Sequence, residues 1–346
     1  MALLSWSFKG FVESVLRLPQ DIRDKLYWKA RSFYTEPDWC DYPPLGMYLL
    51  GVARHACSSE NLTRFYAELQ NQSDEIRPLL GFKRLPSYSA LAHFFNTRVA
   101  KRASELVDEG RKLLEQACQK AGLQLGEIRS TDGKVMASTH REAEFNPHYK
   151  KKMFKGVIDW DLVLLAPLKS VCTNGLADER PHAKKSHDEL AHLKTKLDVL
   201  DGGYYAFQLY CLNSHTPTLI YFPEGTTANE DPAKELEKTY RKCWKDSAYK
   251  VGATLGNQIK FLLAKEEFEA VGRYYRDLQV LESVTAPAEY QRKKHRRSLV
   301  ETGNSLLDNR GLSNRVKHAS FKQAERDLHW TCHALQIQRV MKMYAA

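Results

Sequence analysis

Three carboxylates stand apart by their settings. Asp132 lies in Arg129-Ser130-Thr131-Asp132-Gly133, inside a stretch (127–136) that alternates and carries β-branched residues. Asp201 ends the apolar segment Leu197-Asp198-Val199-Leu200 and precedes Gly202-Gly203; side chains at the carboxyl edge of an α/β sheet are the ones that meet ligands. Glu301 sits in a helical stretch with strongly basic surroundings. Taken singly, the aspartates read as turn residues and Glu301 as the partner of Arg297, one helical turn earlier. Taken together, two strand-borne aspartates and one helix-borne glutamate, spaced by 69 and then 100 residues, can meet at one point. Three facing carboxylates repel unless divalent cations lie between them. Hard oxygen donors suit Mg²⁺ or Mn²⁺. Two such ions roughly 4 Å apart activate a water or a 3′-hydroxyl and stabilise the leaving oxygen of an in-line phosphoryl transfer.

The elements that must position these groups fall into two kinds. Residues 1–125 read as helical. Leu3, Leu4, Phe8, Phe11, Val12, Val15 and Leu16 recur at helical spacing until Pro19. Leu45–Ala56 is a short apolar segment, and Ser87 or Ser89 opens a helix whose face is Leu91, Phe94, Phe95 and Val99. Leu106, Val107, Leu113, Leu114 and Ala117 mark another, closed by Gly122. From about Gly126 the order becomes strand, strand, strand, helix, strand, helix, strand, an α/β order. Here 157–171 reads as strand split at Asp159-Trp160-Asp161 and at Pro167, 183–196 as a polar helix, 204–212 as a helix and 218–222 as a strand. A mainly helical insertion is expected at about 225–288, followed by one or two long helices broken near Gly311. The division is thus an N-terminal helical domain, 1–125, and an α/β domain, 126–346.

The chain of 346 residues carries a net charge of +10, which favours an anionic partner. From Tyr290 to Ala346 twelve Lys or Arg face four acids, so eight of the ten excess charges lie in the last 57 residues. A second basic run, Lys150, Lys151, Lys152 and Lys155, sits in an acid-free stretch from Phe145 to Ile158. Such runs are either solvated helix faces or surfaces that contact phosphate by releasing counterions. No apolar run approaches the roughly 18–20 residues that span a bilayer, so no membrane role is expected. Nor is a secretory signal expected at the start of the chain, its apolar residues being interrupted by Lys9, Glu13 and Arg17. Seven cysteines are scattered singly, which suggests reduced thiols in the core and a cytoplasmic location.

At these residues the sequence resembles the DDE transposases of bacterial and archaeal insertion sequences. Val199-Leu200-Asp201-Gly202-Gly203-Tyr204-Tyr205 is similar to their second-aspartate motif, and Arg297-Ser298-Leu299-Val300-Glu301 to their Arg-x-x-x-Glu signature. Ser130-Thr131-Asp132-Gly133-Lys134 is similar to the first-aspartate strand, and Leu80-Gly81-Phe82 with Pro86-Ser87-Tyr88-Ser89-Ala90-Leu91 to the N-terminal helical domain. The four matches run in order over roughly residues 40–345. In the fuller form of the signature, a Tyr three residues before the Arg and a Lys seven after the Glu, this chain has Lys294 and Asp308.

The resemblance implies an α/β fold of the RNase H-like kind, shared with retroviral integrases: a mixed sheet flanked by helices. It implies cleavage at transposon ends and joining of 3′-hydroxyls to target DNA. Asp132, Asp201 and Glu301 would be the catalytic and metal-binding residues, with two Mg²⁺ ions that Mn²⁺ can replace. Arg297 would contact DNA phosphate near the site. Arg296, Lys294, Lys293, Lys150, Lys151, Lys152, Lys155, Arg310, Arg315 and Lys317 would hold the duplex. The implied partners are double-stranded DNA, as element end and as target, and a second copy of the chain in a homodimer or larger synaptic complex. The implied setting is the nucleoid of a prokaryotic cytoplasm. No phosphate-cradling glycine loop is present, so no nucleotide cofactor is expected. A nuclease that cuts without joining shares every residue named here; a catalytically silent DNA-binding descendant would be expected to have lost one of the three acids. His182, His187 and His192 read as a solvated polar helix, and Trp330 as core.

Overall fold

The computed structural model describes residues 7–34, 42–57, 61–201, 204, 218–220, 279, 282–283 and 285–345. The segment up to residue 120 is helical, as its spacing implies: α1 (Phe8–Leu16), α2 (Gln20–Ser32), α3 (Pro44–Ala56), α4 (Leu62–Asn71), α5 (Ser73–Leu79), α6 (Tyr88–His93) and α7 (Ser104–Lys120). Side-chain oxygens of Ser7, Asn61 and Ser87 cap α1, α4 and α6 by accepting otherwise unpaired first-turn N–H groups. Pro19 separates α1 from α2, and Gly122, with φ +66°, lies just past the end of α7. Between α6 and α7 a π-helical turn (94–99) buries Phe94, Phe95 and Val99, the face expected there.

The sheet strands are β1 (Ile128–Ala137), β2 (Glu144–Asn146), β3 (Lys151–Asp161), β4 (Ala166–Asn174), β5 (Leu197–Leu200) and β6 (Thr218–Ile220), with α8 (Arg180–Glu189) between β4 and β5. β1 and β3 are antiparallel neighbours, and both β4 and the short β2 pair with the other edge of β3, also antiparallel. β5 adds in parallel to β1, and β6 in parallel to β5. The chain is therefore α/β with a mixed sheet.

Three details differ from the expected pattern. β3 does not break at Asp159-Trp160-Asp161 but runs to Asp161, whose carboxylate then closes the β3–β4 turn by accepting from the N–H groups of Val163 (2.8 Å) and Leu164 (2.6 Å). Pro167 stays within β4, opposite Trp160, at a register shift where no ladder N–H is required of it. The Lys150–Lys152 run is not a helix face: Lys150, with φ +52°, ends the β2–β3 turn, and Lys151 and Lys152 open β3.

Among the described residues four helices follow: α9 (Pro287–His295), α10 (Ser298–Asp308), α11 (Leu312–Val316) and α12 (Phe321–Ala345), with Gly311 at φ +72° as the N-cap of α11. The expected helix at 204–212 and most of the expected insertion at about 225–288 lie outside the described residues.

One face of the sheet, with Met136, Phe154, Ile158 and Trp160, packs on Val300, Leu306 and Leu307 of α10 and Leu328, Cys332 and Leu335 of α12. A second core joins the N-terminal helices to Trp330, Ala334, Ile337, Val340 and Met341 of the same α12. Trp330 is fully buried, its ring stacked on His55 and set among Tyr48 and Phe95, and Gly51 lets α3 approach it. Residue 125 thus marks a change in secondary structure, while α12 carries packing across it. The four described cysteines, Cys57, Cys118, Cys172 and Cys332, are unbridged.

α10 reaches the sheet because Gly303 has no side chain: a Cβ there would stand 2.9–3.0 Å from the Trp160 indole. Both partners are buried, so the clash has no easy relief. Gly303→Ala is expected to cost about 1–3 kcal/mol, read as a lower urea midpoint with unchanged m, and to shift α10 away from β1.

Candidate active site

The 69-residue spacing of the two aspartates is the pairing register of their strands. Ile128 lies opposite Leu197 and Arg129 opposite Asp198, and the same offset carried forward sets Asp132 opposite Asp201, one residue past the end of β5. Residues paired in register point to the same side of a sheet. Both carboxylates accordingly reach one guanidinium: Arg297 Nη2 donates to Asp132 Oδ1 at 2.8 Å and to Asp201 Oδ2 at 3.3 Å. Asn304 Nδ2 donates to the other Asp132 oxygen at 2.6 Å.

Arg297 and Asn304 are seven residues apart, two turns of one helix face, and Asp308 extends that stripe to an ion pair with Lys134 of β1. Glu301 sits on the turn between Arg297 and Asn304. Its side chain is exposed, and it makes neither the expected ion pair with Arg297 nor a junction with the aspartates, because Arg297 is already committed to them. Among the described residues no three His, Cys, Asp or Glu side chains converge closely enough to hold a metal ion. Asp132 and Asp201 are brought together; Glu301 is carried on the helix that faces them.

A further carboxylate comes from the opposite side of β1. Glu179 immediately precedes α8 and lies against Gly133, where any Cβ would collide with its carboxyl group. Tyr204 donates its hydroxyl to Glu179 Oε2 (2.7 Å), and Lys155 Nζ donates to Glu179 Oε1 (3.0 Å) and to the Ala177 carbonyl (3.0 Å). Burial raises the Asp132 pKa; Arg297 opposes this, Asp201 and Glu179 add to the rise, and the hydrogen bond from Asn304 opposes it, leaving Asp132 at about 6. Burial and then the same acids also raise the Tyr204 and Tyr149 hydroxyls. The site holds more negative charge than its own cations balance. Arg297 Nε, Arg297 Nη1 and Asn304 Oδ1 are buried without a hydrogen-bond partner. Two donors and one acceptor are left to a bound group.

Beneath the site a buried network fixes β1, β3, β5 and α8. Arg129 makes a two-pronged pair with Asp198 (3.0 and 3.1 Å), Thr131 donates to Asp159, and His187 lies between them, 3.0 Å from the Thr131 hydroxyl and 3.7 Å from each of Asp159 and Asp198. Burial pushes Asp159 up to about 6. His187 is therefore interior, which corrects its reading as solvated helix surface; His192 is exposed and pairs with Glu115.

The remaining basic residues divide between surface and interior. Lys150, Lys151, Lys152, Arg296 and Lys317 are exposed; Lys294 is half-buried; Lys293 pairs with Glu282. Lys155 faces Glu179 rather than solvent. Arg310 and Arg315 correct the expectation of DNA contact. Both are buried where α11 packs on α12, Arg310 on Gln338 and the Leu306 carbonyl, Arg315 on Thr331 and the Arg310 carbonyl. Burial lowers their pKa values to about 10 and about 9. On the helical N-terminal segment the exposed Asn96 accepts from Arg326, and Arg98 lies over the Tyr34 ring.

Sequence reasoning missed Asn304 and Glu179. Helical periodicity carries the signal for Asn304, three residues beyond Glu301 and seven beyond Arg297. For Glu179 there is none beyond Gly133, since the contact joins two sides of one strand. Compared with family models, curated proteins and solved structures, the chain finds no match.

Asp132 titrates at about 6 in the folded state, above its ordinary 3.8, so the fold holds this proton more tightly than the unfolded chain does. The stability it contributes is full below about pH 4 and is lost as pH rises through about 6. The unfolding free energy should fall by on the order of 2–3 kcal/mol from this group over that interval. Asp132→Asn should not show that part of the fall. Urea unfolding of both proteins at stepped pH tests this; a difference between them that is flat from pH 4 to 6 would contradict it.

Proposed function

We propose that this chain is a metal-dependent DNA transposase of the DDE type, with an RNase H-like catalytic core. One observation carries the proposal: two aspartates matched in register on adjacent parallel strands, both facing the helix that bears Arg297, Glu301 and Asn304. A sheet in which antiparallel strands adjoin two parallel ones, with the aspartates on the central pair, supports the fold assignment. The excess of basic residues supports DNA as substrate.

The donor types suit divalent cations, with Glu301 still apart from the aspartate pair. The donors are carboxylate oxygens, hard ligands of the kind Mg²⁺ and Mn²⁺ take, and burial first, with the neighbouring acids adding to it, raises the pKa of Asp132 although Arg297 lies beside it. Asp132, Asp201 and Glu301 would hold two such ions, which supply Lewis-acid chemistry for hydrolysis at the element end and for transfer of the 3′-hydroxyl to target DNA. Asn304 fixes the orientation of the Asp132 carboxylate. Arg297, with Nε and Nη1 still to be satisfied, has the donors to take a phosphate oxygen at the reacting strand. Glu301, exposed on α10, would have to turn toward the pair to join them. No protein nucleophile is required. Lys150, Lys151, Lys152, Arg296 and Lys317 supply exposed positive charge for the duplex. Two element ends call for two copies of the chain, and the setting is prokaryotic nucleoid DNA.

Asp201→Asn is expected to lower Mg²⁺-dependent nicking of duplex DNA by at least about 10²-fold while duplex binding persists. In the wild type, Mg²⁺ should raise the melting temperature, since a ligand of the folded state alone stabilises it; in Asp201→Asn that rise should shrink. Full nicking by the variant would sink the proposal.

A further inference from the structure

Beyond Asp132, β1 leaves β5 behind and continues with β3 as an antiparallel arm. At its far end a groove of about 470 Å³ lies between the arm and the loop after α11. Phe145 of β2 lines it and is 54% exposed, an unusual position for a large apolar ring. Its cross-strand neighbour is Lys152, and Lys151 and Lys317 complete the basic rim. None of these three lysines pairs with an acid among the described residues. The walls are fixed by hydrogen bonds: Ser138 N–H to the Lys152 carbonyl (3.1 Å), Thr139 N–H to the Lys317 carbonyl (2.8 Å) and Ser138 Oγ to the Ala319 carbonyl (3.1 Å). This is a preformed apolar slot bordered by unpaired cations.

We infer that this groove binds an unpaired nucleotide of single-stranded DNA, its base against Phe145 and its flanking phosphates on Lys151, Lys152 and Lys317. The rim calls for a polyanion and the floor for a flat apolar face. A duplex offers the first but hides the second in its stack; an unstacked base offers both. The groove also lies on the strand that carries Asp132. Ala137, on its wall, is five residues further along β1, roughly 17 Å at about 3.4 Å per residue. That is the length of about five nucleotides of one strand in a duplex. A strand whose phosphodiester sits at the aspartates can therefore reach the groove, so the single-stranded segment is one opened about five nucleotides from the reacting bond. The inference rests on the reading of the chain as a DNA-processing enzyme, which supplies the polyanion; an acidic peptide is the competing occupant.

The test uses the full chain without divalent cations, titrated against a labelled oligothymidylate and against a mixed-sequence duplex of equal length. Phe145→Ala should weaken oligothymidylate binding roughly tenfold or more, the loss of one base–aromatic stack, and leave duplex binding unchanged. Phe145→Trp should restore it, which separates loss of stacking from misfolding. The Lys151→Ala/Lys152→Ala double variant should weaken both ligands and reduce the salt dependence by about 1.4 on the single strand. The inference is overturned if Phe145→Ala leaves oligothymidylate affinity unchanged, if it weakens duplex binding equally, or if polyglutamate displaces the oligonucleotide at equal charge concentration. Its fate is separable from that of the transposase reading. Phe145-dependent strand binding in a protein that never nicks DNA with Mg²⁺ would keep the groove and remove the transposase; nicking with Phe145-independent binding would do the reverse.

Discussion

The parallel pairing of β1 with β5 sets two negative charges side by side at the end of a sheet, and the rest of the site answers that placement. A guanidinium bridges the pair, an amide holds the second oxygen of Asp132, and both come from one face of α10. Burial without enough positive charge leaves Asp132 titrating far above an ordinary aspartate. Stability is given up at neutral pH to gather these oxygen donors at the end of the sheet.

That arrangement is held from both sides of the sheet. On one side Gly303 lets α10 lie against Trp160, and Asp308 ties the end of α10 to Lys134. On the other, Gly133 admits Glu179, and the Arg129–Asp198–His187–Asp159 network locks α8 to three strands. Buried ionic groups of this kind cost more when one partner is removed than the assembled network contributes. Their value here is positional: β1 and β5 cannot slip by one residue without breaking Arg129–Asp198 together with the Asp132–Asp201 match.

Positive charge in this chain does several different things. Arg297 bridges the two aspartates, Lys155 pairs with Glu179, and Arg310 and Arg315 serve as hydrogen-bond donors inside the packing of α11 on α12. The remainder faces outward and is spread over the N-terminal helices, the hairpin arm and α9. A count of basic residues along the chain therefore overstates the positive charge at the surface.

Much was legible in the residues alone. The helical N-terminal segment follows from apolar spacing and from caps such as Ser87, and β1 and β5 from alternation and apolar runs, because these signals are local. The aspartate pair was legible too, since its 69-residue spacing is the register of two strands that the pattern already implied. Three things required the folded chain. Whether an arginine is buried depends on which helix packs over it, which is why Arg310 and Arg315 read as surface and are not. Glu179 reaches the site through a contact across β1 that no spacing encodes. Arg297 pairs with the two aspartates and not with Glu301 one turn along its own helix, since the buried Asp132 carboxylate makes a stronger charge pair than an open helix face does.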